Sequence, residues 1–163
     1  MEDNPAYYTS STYYGAADVL TLAIAGAYQP DGVGTARKPG DYSTVSIDVL
    51  FEKKLGSAGA VTLEGAWYSY DTDNVGGIVA GDAWMVAAAY LLPGKVGIGQ
   101  FQPFARYQTF NPDALSRDIK QYDLGVHYVI KGHSARVSAE YSNIDSGTGG
   151  KQDRFTLGLQ LQF

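Results

Sequence analysis

Charged side chains recur at alternate positions of the chain, with apolar residues between them. In QYDLGVHYVI (121–130), Asp123 and His127 alternate with tyrosine, leucine and valine. On a β-strand this spacing places the charged groups on one surface. The candidate residues with this placement are Arg106, Arg136, Arg154, Asp48, Glu64, Asp123, Glu140 and His127.

Two interpretations suit this set of residues. Charges around a water-filled passage focus its field and bias which ions enter. Guanidinium groups also offer forked donors to anions such as phosphate or carboxylates. In the first interpretation, Arg106, Arg136 and Arg154 form a wall that favours anions. In the second, acidic and basic side chains pair across neighbouring strands and only hold the wall together.

Metal and hydrolytic sites have less support. The chain has no cysteine, and its two histidines, His127 and His133, lack a cluster of carboxylates in the sequence around them. We therefore predict neither a metal site nor another cofactor. Ser138 and Asp123 could approach His127 across strands, as a hydrolase would need. Serine occurs throughout these segments, however, and we predict that the protein is not an enzyme.

The charged residues belong to segments in which apolar and polar residues alternate, which is the pattern of β-strands with one apolar and one polar face. The last segment, RFTLGLQLQF (154–163), ends on Phe163. Segment 82–92 is also compatible with a helix, but the turn that follows it favours a strand. The strand-like segments are 6–14, 18–29, 41–54, 60–70, 82–92, 101–110, 121–130, 134–142 and 154–163.

Short and long connections alternate between these segments, and a long one is predicted at 29–41. Outer-membrane barrels place short turns in the periplasm and longer loops outside, and about 9–11 residues per strand cross the bilayer. Because a spanning backbone must pair all its polar groups, the sheet must close. We therefore predict an all-β transmembrane antiparallel up-and-down β-barrel with a periplasmic C-terminus. The alternative is a soluble β-protein whose apolar faces turn inward.

Composition narrows the possible partners. The net charge is −5 and the 12 basic residues are scattered, which argues against a nucleic-acid partner. The 13 tyrosines suit sheets and the lipid–water boundary. MEDNPAYYTSS lacks the features of a signal peptide. We expect that a signal was removed or that the chain starts inside a longer gene, with residues 1–5 as a flexible N-terminus.

Eight or nine strands fit the chain. If the last strand ends in the periplasm, segment 6–14 runs inward and the chain begins outside. Either 6–14 is not a spanning strand and eight strands close a small barrel, or it is a strand in a larger barrel. In the second case residues 1–163 are the C-terminal part of a barrel of roughly 16 to 18 strands. We favour the second arrangement because it explains the missing signal.

Much of the chain resembles the C-terminal half of trimeric porins in the phosphate-selective porin O and P family. The stretches that carry the resemblance are YYTSSTYYGAADVLTLAIAGAYQ (7–29), IDVLFEKKLGSAGAVTLEGAWYSYD (47–71), AYLLPGKVGIGQFQPFARYQTFNP (89–112) and FTLGLQLQF (155–163). The terminal aromatic strand, ending at Phe163, resembles the signal that the barrel-assembly machinery reads. This chain departs from the family by lacking the N-terminal strands and the loop that forms the constriction.

The resemblance implies a bacterial outer-membrane porin, or its C-terminal portion, through which small hydrophilic solutes or ions diffuse passively. It implies outer-membrane lipid as surroundings, with a homotrimer or the remaining barrel strands as partners. The alternative is a small closed barrel whose interior is filled by side chains, since about eight strands leave just enough room for them. Such a barrel would serve as an anchor, adhesin or envelope-stabilising protein.

Overall fold

The computed structural model describes residues 12–75, 79–114, 117–147 and 149–162, and it is an all-β structure. Its eight strands form one sheet in chain order, each antiparallel to the next. Between β2 and β3 lies one short 3₁₀ turn, Gly56–Ala58. The strands are β1 Val19–Thr35, β2 Lys38–Lys54, β3 Ala60–Asp71, β4 Gly81–Leu91, β5 Gln100–Pro112, β6 Ile119–Lys131, β7 Ala135–Asp145 and β8 Lys151–Leu161.

The predicted all-β, antiparallel up-and-down arrangement is confirmed, and segment 82–92 is a strand. Two predictions concern residues outside the described ranges: the flexible stretch 1–5 and the assembly signal Phe163. Of the possible strand 6–14, the structure describes only residues 12–14, and these lie outside the sheet. Among the described residues, no helix is long and apolar enough to cross a bilayer.

The long loop predicted at 29–41 is wrong. Here β1 and β2 continue as a hairpin, each strand 17 residues long, which corresponds to about 56 Å. Their register shifts between Gln29 and Val33, and pairing resumes up to Thr35 opposite Lys38. Glycine, proline and aspartate suggested a loop here. The bulge absorbs part of this stretch. Because β1 is an edge strand of the sheet, it also tolerates glycine and proline at positions without a ladder partner.

The connections define two ends of the sheet. The upper end carries the connections 36–37, 72–80, 113–118 and 146–150. The lower end carries the connections 55–59, 92–99 and 132–134. The predicted strict alternation of lengths is wrong, because 92–99 is longer than 113–118. The extra residues of 92–99 form a tight turn with a Val96–Gly99 bridge. The Tyr128 hydroxyl holds this turn: it accepts the Gly99 N–H at 2.9 Å and donates to the Val96 carbonyl at 2.5 Å.

The sheet has an apolar exposed face and a polar buried face, which is the reverse of a sheet that packs on an apolar core. Large apolar side chains are exposed on the outer face, and Leu157 reaches 85% exposure. On the inner face polar side chains are buried, with Glu52 at 0% and Asp123 at 1% exposure. The outward direction predicted for the apolar residues is therefore the one that the structure has.

The apolar core is correspondingly small. At the lower end of the inner face, Ala60, Leu91 and Val129 pack together, and Tyr14 lies against them. The sheet order runs from β1 to β8, and the described residues show no pairing between these two edge strands. A sheet edge without a partner strand presents free backbone donors and acceptors.

Candidate functional site

The inner face carries an ion cluster formed by Arg106, Asp123 and Glu140 on three adjacent strands. The register places Arg106 opposite Asp123. Arg106 Nε donates to Asp123 Oδ2 at 2.8 Å, and its Nη2 lies 3.8 Å from Glu140 Oε2. Pairing across strands, which was the second interpretation of the sequence, describes these three residues.

Neighbouring amide and hydroxyl groups complete this cluster. Gln121 Nε2 donates to the other oxygen of Asp123 at 2.7 Å, and the Ser142 hydroxyl donates to Glu140 Oε1 at 3.1 Å. The Asp123 side chain is 0% exposed, whereas that of Arg106 is 36% exposed. A buried carboxylate of this kind depends on its partners, because an unpaired buried charge is strongly destabilising.

His127 lies next to the cluster, against Ser138 and Phe104. Its Nδ1 is 2.8 Å from the Ser138 hydroxyl, and the Phe104 ring stacks on the imidazole with centroids 4.3 Å apart. Gly125 makes room for that ring, since a Cβ at this position would lie 2.5 Å from Phe104. The hydrogen bonds of Asp123 go to other residues, so Ser138, His127 and Asp123 do not form the relay that a hydrolase would need.

A second group of contacts lies at the lower end, where residues 12–15 cross the inner face; we call them the strap. Glu52 on β2 accepts hydrogen bonds from the Thr12 hydroxyl at 2.8 Å and from the Tyr13 N–H at 2.9 Å. Towards β7, Arg136 Nη1 donates to the Tyr14 hydroxyl at 3.0 Å. The sequence pattern placed Arg136 on the inner face but gave no indication of the strap.

A cavity of about 370 Å³ lies between the ion cluster and the strap. Its walls come from β3 to β7 and from Thr12. Of the candidate residues, the cavity brings together Glu64, Arg106, His127, Arg136 and Glu140. Two guanidinium groups therefore face two carboxylates here, and the lining has no excess of positive charge.

The remaining candidates lie apart from this cavity. Asp123 is buried beneath Arg106. Asp48 is on β2, with Ala23 and Ala66 as its neighbours in the register. Arg154 is exposed on edge strand β8, opposite Ser142. A single wall of three arginines is therefore not assembled. Among the described residues, no group of three or more histidine, aspartate or glutamate side chains could hold a metal ion.

The outer face carries two aromatic belts. Ring contacts link neighbouring strands: Trp84 to Tyr107 at 5.1 Å and Tyr107 to Tyr122 at 4.6 Å towards the upper end, and Phe101 to Tyr128 at 5.0 Å at the lower end. The upper belt consists of Trp67, Trp84, Tyr107, Tyr122, Tyr141 and Phe155. The lower belt consists of Phe51, Tyr90, Phe101 and Tyr128.

Exposed aliphatic side chains fill the space between the belts. On β4, β5 and β6 the belt residues stand six positions apart (84 to 90, 101 to 107 and 122 to 128), which is about 20 Å along a strand. The exposed aliphatic residues of this band include Leu22, Ile47, Val49, Leu63, Val86, Leu124 and Leu157. The sequence analysis associated tyrosine with sheets and the lipid–water boundary, but only the register shows which aromatic residues lie at the same level on neighbouring strands.

Comparisons with known proteins assign no family to the chain. No family model and no solved structure matches it. A stretch of 85 residues is 28% identical to a protein of Aquifex aeolicus (strain VF5) described as "Uncharacterized protein". The match covers 49% of this chain and 20% of that protein, so the matched stretch spans about a fifth of the relative's length.

Proposed function

We propose that the chain forms part of the wall of a bacterial outer-membrane porin, through which small hydrophilic solutes or ions diffuse passively. The observation that carries this proposal is the outer face, where an exposed aliphatic band lies between two aromatic belts. Outer-membrane barrels have an outward-facing apolar band flanked by aromatic girdles at both lipid–water boundaries. A polar inner face is what the same architecture requires around a water-filled passage.

The open edges of the sheet bear on how the barrel would close. A strand edge cannot remain unpaired in hydrocarbon, because each unsatisfied backbone group costs several kcal/mol. We propose that further strands pair with β1 and β8, in line with a barrel of roughly 16 to 18 strands. The alternative of a closed eight-stranded barrel has less support, since β1 and β8 are not paired in the described part of the chain.

The charges of the cavity suggest a weak ion preference. Two carboxylates neutralise Arg106, so an anion bias would act through Arg136. The Nε of Arg136 is buried and has no hydrogen-bond partner, while the other guanidinium nitrogens bind Tyr14 and Gln160. We further propose that the barrel lies in outer-membrane lipid with its C-terminus in the periplasm. It would assemble as a trimer and be inserted by the barrel-assembly machinery.

Conductance across a planar lipid bilayer tests this function. The complete barrel, which contains this chain and the strands that pair with β1 and β8, should produce stepwise and stable increases in current when it is folded in detergent and added to one side. Its conductance in potassium chloride should show little preference between cation and anion in reversal-potential measurements. The same protein denatured by heat is the control. Folded protein that inserts into the bilayer but carries no current would contradict the proposal.

A further inference from the structure

The strap is held by a carboxylate that is completely buried. Glu52 is 0% exposed, and its Oε2 accepts hydrogen bonds from the Thr12 hydroxyl, the Tyr13 N–H and the Thr62 hydroxyl. Its Oε1 accepts the Gly15 N–H at 2.5 Å. Burial of a charge is costly unless hydrogen bonds satisfy it, and three of these four donors belong to the strap. Glu52 therefore anchors the strap to β2.

The same short segment also contacts the β6–β7 turn and β7. His133 Nε2 lies 2.7 Å from the Thr12 carbonyl oxygen, and the Tyr14 ring is 4.9 Å from the His133 imidazole. Arg136 donates to the Tyr14 hydroxyl. The strap thus connects the lower end of β2 with the β6–β7 turn and β7, and Thr12 alone contacts both Glu52 and His133.

The position of the strap affects how solutes would move along the inner face. It crosses at the lower end, and Thr12 lines the cavity together with Arg136 and His127. Tyr14 packs on Ala60, Leu91 and Val129 at the lower end of the inner face. A solute that moves from this cavity towards the lower end of the inner face passes beside these groups.

We propose that the strap forms the narrow point of the passage and that Glu52 holds the strap in this position. The inference rests on the proposed channel function. Small hydrophilic solutes would pass between the strap and the side chains of the cavity, and their upper size would depend on whether the strap is docked on Glu52.

The test compares Glu52→Gln with Asp48→Asn in the complete barrel. Each variant removes one negative charge from the inner face of β2, but Asp48 has no contact with the strap. Hydrogen bonds to charged groups are the strong ones. Loss of the Glu52 charge should shift the docking equilibrium of the strap about tenfold, which is about 1.4 kcal/mol. Glu52→Gln should therefore admit larger sugars in liposome-swelling assays and raise single-channel conductance, whereas Asp48→Asn should leave both near the wild-type values.

Thiol labelling measures the docking of the strap without relying on conductance. The natural chain has no cysteine, and Thr12 is buried, so Thr12→Cys introduces a single protected thiol. A small water-soluble thiol reagent should label it about tenfold faster when Glu52→Gln is added, and no faster when Asp48→Asn is added. Ser57→Cys, in the exposed 55–59 connection, controls for reagent access.

The outcomes separate the two proposals. If the wild type conducts and Glu52→Gln releases the strap without changing conductance or solute size, the strap is not the narrow point, while the channel function stands. If Glu52→Gln and Asp48→Asn change conductance equally, the effect is one of charge, and the role of the strap is overturned. If the wild type inserts but carries no current, the channel function fails and the inference fails with it.

Discussion

Replacing Arg106 by methionine tests whether the ion cluster stabilises the wall. Methionine keeps most of the volume of the side chain but removes the guanidinium group from Asp123 and Glu140. Asp123 is then left as a buried carboxylate whose side chain is 0% exposed. Removing one partner of a buried ion pair costs about 3–5 kcal/mol.

The structure places the expected cost at the lower end of that range. Gln121 Nε2 still donates to Asp123 at 2.7 Å, so the carboxylate keeps one of its donors. We expect Arg106→Met to lower the free energy of unfolding by about 3 kcal/mol. The double variant Arg106→Met/Asp123→Asn, which also removes the buried charge, should recover more than half of that loss.

Urea-induced unfolding in detergent micelles, followed by far-UV circular dichroism, measures these differences. Arg154→Met is the matched control, since Arg154 lies on the inner face of β8 but is exposed. Its free energy of unfolding should change by less than about 0.5 kcal/mol, as is usual for exposed positions. Equal effects of Arg106→Met and Arg154→Met, or no recovery in the double variant, would refute the reasoning.

Two further predictions concern the inner face. Gly125→Ala places a Cβ 2.5 Å from the Phe104 ring and should lower stability by about 1–3 kcal/mol through overpacking. Gly158→Ala should be nearly neutral in the same urea-unfolding measurements, because its Cβ would only make an ordinary contact, 3.7 Å from Ser138, and equal losses in the two variants would exclude the clash as the cause. Burial raises the pKa of Tyr14 above its ordinary value of 10.0, so its contribution to docking the strap is fully present below pH 10 and is lost as the pH rises through the folded-state pKa. Labelling of Thr12→Cys, measured relative to Ser57→Cys at each pH, should accelerate over that alkaline range, and an unchanged pH profile in Tyr14→Phe would show that another group is responsible.

The alternation of residue types predicted most of the sheet. A strand repeats every two residues, so the positions of Arg106, Asp123 and Glu140 in their segments are sufficient to place all three on one face. Their pairing then follows from the register of β5, β6 and β7, which tight connections between consecutive strands limit to few choices. The outward position of Leu157 follows from the same period.

Features that depend on distant contacts could not be predicted in this way. The strap binds His133 through Thr12, and no local pattern connects positions so far apart in the chain. The tight turn at 92–99 depends on Tyr128, which belongs to a strand beyond the next one in sequence. The hairpin at 29–41 was missed for a different reason. Its glycine and proline content is typical of loops, whereas a bulged hairpin with one open edge tolerates both.

The central claim is that the outer apolar face of the sheet contacts lipid, and the two tryptophans of the chain measure it directly. Trp67 and Trp84 both lie in the upper aromatic belt and are exposed. In liposomes containing lipids brominated along their acyl chains, their fluorescence should be strongly quenched, while aqueous iodide should have little effect. Quenching by iodide without quenching by the brominated lipids would contradict the account.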